Sequence, residues 1–213
     1  MYNIAAKLTP WKNGLTKPKD SYILKAELKK GGSFAMYEEI KNLAKEIGFD
    51  KCGEIAARLV PCDTTLRRFC VQNVCGMYGK CYMCPPAEGP AETLVAKLHN
   101  YKDMLVLARE YPCEDMSKYE VVQRTHENNS HILWKAMQKL GYNQKNARVL
   151  TTGGCHLCET CAYITGEPCR HPDIACPSVS GYCIEVQKLC DAIGLSMNGE
   201  NGGMVLFCIV LLK

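Results

Sequence analysis

The chain has 213 residues, 47% of them hydrophobic, and a formal net charge of +4 from 26 Lys and Arg against 22 Asp and Glu. That length can bury a core without covalent staples, and the mildly basic balance, with no run of five Lys or Arg, leaves no footprint for nucleic acid. The first ten residues lack the charged stretch and apolar run of a signal peptide, and the longest apolar run, Met204 to Leu212, is too short to span a bilayer. A cytoplasmic protein with no membrane association is expected.

Taken in chain order, Tyr22 to Leu28 alternates enough for a strand, and Gly31-Gly32 breaks it before Ser33, an N-cap for a helix over Phe34 to Ile47 closed by Gly48. Ile55 to Val60 reads as a short strand that runs into a cysteine-rich loop ending at Cys84-Pro85-Pro86, where the prolines forbid a helix. A helix restarts near Pro90 and runs to about Tyr101, Met104 to Ala108 is a buried strand, and Ser117 to Leu140 is a longer polar-faced helix closed by Gly141. Arg148 to Thr152 is a strand that delivers the chain through Gly153-Gly154 into a second cysteine loop ending near Pro177. Cys183, Val186, Cys190 and Ile193 share a helical stripe stopped by Gly194, and Met204 to Leu212 has the unbroken apolarity of a central strand buried on both faces. This order predicts an α/β or α+β fold: a mixed sheet flanked by helices, with two cysteine-rich metal-binding loops at strand ends. One domain over residues 1–213 is expected, with lobes at 1–110 and 111–213 as the alternative division.

Fifteen cysteines are unusual in a reducing compartment, where structural disulfides are rare. Their odd number, without a leader peptide, points to metal ligation; a secreted disulfide framework is the competing reading. In the second loop, Cys155, Cys158 and Cys161 stand two residues apart, followed by Cys169 after seven residues and by Cys176-Pro177. Three close thiolates curl around three corners of a cubane and a remote cysteine closes it, as in bacterial ferredoxins. Structural zinc instead usually uses two separated Cys-x-x-Cys pairs. Two residues compete as the fourth ligand: Cys169 is nearer, whereas Cys176 carries the Cys-Pro pattern of ferredoxin ligands. His171, beside two prolines and Arg170, reads as a surface turn residue with ligation as the alternative.

In the first loop, Cys70, Cys75, Cys81 and Cys84 fall within fifteen residues, enough to enclose one metal centre. Cys81-x-x-Cys84 is also a normal zinc pair, so zinc remains the alternative metal. Arg67, Arg68 and Lys80 bracket this loop, where positive charge would favour a reduced cluster. Cys183, Cys190 and Cys208 read as small buried hydrophobes, and Cys52, Cys62 and Cys113 have no spaced partner. The sequence puts none of His99, His126, His131 or His156 beside one of these remaining cysteines, and it contains no P-loop, dinucleotide fingerprint or nucleophile elbow.

These motifs resemble the domain-of-unknown-function 2284 family, small proteins of anaerobic bacteria and archaea labelled as predicted metal-binding. The resemblance rests on Cys70, Cys75, Tyr78-Gly79 and Cys84-Pro85-Pro86, then on Gly154-Cys155 with Cys158 and Cys161, Pro168-Cys169-Arg170-His171-Pro172, and Pro177-Ser178, within roughly Ile47 to Leu195. It implies metal binding, leaves the reaction open, and favours Cys169 over Cys176. The family pattern tolerates another residue at Cys81, which implies a first centre held by Cys70, Cys75 and Cys84 alone, with an open coordination position for Lewis-acid chemistry.

The expected function is an iron-sulfur protein with two [4Fe-4S]-type clusters, held by Cys70, Cys75, Cys81 and Cys84 and by Cys155, Cys158, Cys161 and Cys169. It would exchange electrons with a redox partner protein in anaerobic metabolism. A metalloenzyme with an incompletely ligated cluster and a zinc-stabilised interaction module are the alternatives.

Overall fold

A computed structural model describes residues 33–112, 118–199 and 203–213. The strand expected at Tyr22 to Leu28, and Cys113, lie outside these residues. Four strands form one sheet: β1 (Lys51–Ala56), β2 (Asp103–Tyr111), β3 (Ala147–Thr151) and β4 (Met204–Leu212), in the order β1-β2-β4-β3. Every pairing is antiparallel, with Val106 opposite both Gly53 and Ile209, and Leu150 also opposite Ile209. The parallel contact that a mixed sheet leads one to expect survives as an isolated bridge, Thr151 to Ser178.

Helices cover both faces of this antiparallel sheet, a mixed helix-and-sheet architecture within the α/β or α+β class expected. On one face Val106, Leu150, Phe207 and Ile209 pack against Leu94 and Leu98 of α3 (Ala91–His99) and Leu189 and Cys190 of α5 (Val186–Ile193). On the other, Leu105, Leu107, Val149 and Val210 meet Ile40 and Ala44 of α1 (Ser33–Ile47) and Leu133, Trp134 and Met137 of α4 (Tyr119–Lys139). Alternate residues of β4 therefore enter opposite cores, and its sequence is apolar without a break because neither face meets water. No helix among the described residues is long and apolar enough to cross a membrane.

Two elements differ from expectation. The segment read as a strand over Ile55 to Val60 leaves the sheet at Ala56 and turns through a 3-10 helix at Ala57–Leu59, where the Val60 amide donates to the Ala57 carbonyl (3.2 Å). Cys183 is not on a helical stripe: it has φ +53° at the end of a 3-10 turn over Val179–Tyr182. The Asp63 amide donates to the Cys183 carbonyl and the Glu185 amide to the Pro61 carbonyl, both at 2.9 Å. This pairing, centred on the Cys62–Ile184 bridge, delays the helix to Val186.

Cys190 is fully buried and belongs to the sheet-facing core, where burial pushes its thiol up to about 12. It is a packing residue. Cys190→Ala should lower stability by about 1 kcal/mol, the cost of one small cavity, measured as a shift in the denaturation midpoint at unchanged metal content.

Candidate metal centres

The first loop leaves β1 through two 3-10 turns, the second begun by Asp63, whose carboxylate accepts from the Thr65 amide (2.9 Å) and hydroxyl (2.7 Å). The short helix α2 (Arg67–Val71) follows and carries Cys70. Arg67 donates to the carbonyls of Gly89 (3.0 Å) and Gly181 (2.8 Å), so it ties both ends of the loop to the turn at Val179–Tyr182. Gly79, at φ +69°, donates to the Pro85 carbonyl (2.9 Å) and closes the loop on itself.

Within that frame Cys81 and Cys84 are buried and Cys75 is exposed. The Cys84 thiol donates to the Cys81 sulfur, which holds Cys81 below the ordinary thiol range and drives Cys84 above it. The amides of Cys155 and Met83 also point at the Cys81 sulfur. Amide donors of this kind stabilise a thiolate, the form that binds metal. Cys70 lies apart, its sulfur 3.9 Å from the Ser180 carbonyl, and burial raises its thiol. Cys75 and Cys183 lie near enough to add to that rise, and Cys75 acts likewise on Cys84. The structure thus joins Cys81 to Cys84 and brings Cys75 near both Cys84 and Cys70.

The second loop leaves β3 at Thr151, and the Thr152 hydroxyl holds its start by donating to the Phe207 carbonyl (2.8 Å). At Gly154 a Cβ would lie 2.6 Å from the Met77 side chain, a close approach that only glycine permits. The far end is pinned to α4, where Trp134 Nε1 and Gln138 Nε2 both donate to the Asp173 carbonyl at 2.8 Å. Between these anchors Cys155, Cys158, Cys161 and Cys169 line one small pocket, together with Leu157, Ala162, Ala175, Arg170 and His171. Arg170 hydrogen-bonds the Cys158 sulfur and donates through Nη1 to the Thr160 carbonyl (2.9 Å). His171, expected at a surface turn, faces the same pocket.

Cys176 is elsewhere. It belongs to the α1–α4 core with Cys208, its sulfur donates to the Ile174 carbonyl (3.6 Å), and burial raises its thiol well above the ordinary range. The two loops meet directly: the Ser178 amide donates to the Met83 carbonyl (2.9 Å), the Tyr82 hydroxyl to the Glu167 carbonyl (2.7 Å), and the Tyr82 and Tyr163 rings stack edge to face at 5.2 Å.

One group beside Cys155 escaped the sequence reading. Glu127, His131 and Cys155 offer an oxygen, a nitrogen and a sulfur that all lie within 4.8 Å of one another, the one such set among the described residues. The two Glu127 oxygens take the His156 amide at 2.5 Å and His156 Nδ1 at 2.6 Å. The available signal was the four-residue spacing of Glu127 and His131, which puts them on one face of a helix.

The family model DUF2284, described as a predicted metal-binding protein, matches residues 53–212. No curated protein and no solved structure matches the chain.

Proposed function

Because the chain belongs to the DUF2284 family of predicted metal-binding proteins, we propose that it is an iron-sulfur protein with two [4Fe-4S]-type clusters that exchanges electrons with a partner protein. The observation that carries this reading is the ring of Cys155, Cys158, Cys161 and Cys169 around one pocket. A close triplet with a remote fourth cysteine is the ligand pattern of a cubane, whereas structural zinc usually uses two separated pairs, and a cubane there would supply one-electron chemistry.

Cys70, Cys75, Cys81 and Cys84 are the proposed ligands of the first cluster. The Cys155 amide directed at the Cys81 sulfur brings a ligand of each centre into contact, an arrangement suited to passing an electron between them. Arg170 and the loop amides orient the thiolates. Free thiols in such number fit the reducing cytoplasm. The partner would meet the end of the molecule where Cys75 is exposed and Phe69, Val71 and Val74 leave apolar surface beside it.

Protein purified without oxygen should be brown and hold about eight iron and about eight acid-labile sulfide per chain. Elemental and sulfide analysis with electron paramagnetic resonance tests this. Stoichiometric zinc in both loops without sulfide would overturn it.

A further inference from the structure

The geometry points to a separate mononuclear site in which Glu127, His131 and Cys155 hold a single zinc ion. This site stands whether or not the neighbouring pocket carries a cluster. Where it does, the Cys155 thiolate is shared, since a thiolate sulfur can bridge two metals.

Glu127 and His131 lie four residues apart on α4, on the side that meets the second loop, and are exposed by only 2% and 3%. A carboxylate and an imidazole buried side by side need partners. Glu127 has one: His156 donates one hydrogen bond to each carboxylate oxygen, from its amide and from Nδ1. Each oxygen keeps a further lone pair, and the carboxylate is oriented as metal-bound carboxylates commonly are by a second layer of donors. The Glu127–His156 pair does not account for His131, whose Nε2 is buried without a hydrogen-bond partner. An orphaned buried nitrogen in a native core calls for a specific cause. The one acidic oxygen and the one thiol gathered with this ring belong to Glu127 and Cys155.

One oxygen, one nitrogen and one sulfur make a mixed set of borderline softness, which suits zinc better than calcium or magnesium. Three protein ligands leave a tetrahedral ion one open position for water or a small ligand, the pattern of reactive rather than purely structural zinc. A four-cysteine zinc site would have none.

Protein purified without oxygen is incubated with one equivalent of Zn2+, desalted, and examined by zinc X-ray absorption and sulfide analysis. The zinc should be retained with one sulfur at about 2.3 Å and the remaining ligands at about 2.0–2.1 Å. His131→Gln should lose it while sulfide content stays unchanged. His131→Cys, which restores a ligand, should keep it with the sulfur count raised from one to two, a change that a packing role for His131 does not produce. An all-sulfur zinc shell, zinc retained unchanged in His131→Gln, or no zinc retained by the natural protein would each overturn the site. Zinc in the mixed shell of a sulfide-free protein would uphold it while removing the iron-sulfur reading.

Discussion

Cys158→Ala should abolish the second centre, removing about four iron and about four sulfide per chain, and should markedly lower the melting temperature. Cys158 lines the pocket with three other cysteines and is held by Arg170, so no neighbouring thiol is placed to replace it. The segment from Gly153 to Pro177 contains two 3-10 or turn-like stretches but no strand or α-helix. Few backbone hydrogen bonds hold its interior, and metal binding is then part of its folding free energy. Cys169→Ala should behave in the same way. Cys176→Ala should not, because its sulfur is packed in the core beside Cys208 and does not line the pocket. Iron and sulfide content with thermal unfolding of the three variants checks this. Full iron content in Cys158→Ala would show that the second loop does not bind the cluster.

Cys81→Ala should strip or convert the first cluster, and the spectrum of the natural protein should ignore added cyanide or thiol. The hydrogen bond that Cys81 accepts from Cys84 and those from the amides of Cys155 and Met83 favour its thiolate and outweigh its complete burial, which by itself opposes the charged form. A closed set of four protein thiolates leaves no iron open to substrate, and electron transfer is then the natural role. The opposite outcome is equally specific. An intact cluster in Cys81→Ala, with a natural spectrum that shifts on adding cyanide, would mean a three-cysteine centre with an open iron. That result would replace the electron carrier with a metalloenzyme.

Much of the fold was legible in short stretches. Met204 to Leu212 reads as a buried strand because every residue is apolar, and it is the β4 strand between β2 and β3. The expected helix from Ser117 to Leu140 appears as Tyr119–Lys139, and the one near Pro90 as Ala91–His99 with Pro90 as its N-cap. The family and its metal-binding character were legible too, since ligand spacing along a loop is itself a local pattern. Strand direction was less so: alternating strands and helices left a mixed sheet open, and only the pairing of β1 on β2 and of β2 and β3 on β4 made every neighbour antiparallel.

Residues far apart in the chain settled what remained. Spacing alone could not separate Cys169 from Cys176, because both follow the close triplet; packing set one against the pocket and the other against Cys208. Cys183 kept helical periodicity with Val186 and Cys190, yet backbone hydrogen bonds to residues 61–63 hold it in a turn. The meeting of Cys81 with Cys155, and of Glu127 and His131 with the same cysteine, joins segments that share no local pattern. Periodicity and ligand spacing are properties of a few neighbouring residues and survive in any window of the sequence. Which buried polar groups face one another depends on how α4 and the two loops pack against the sheet, and that packing is a sum over the whole chain.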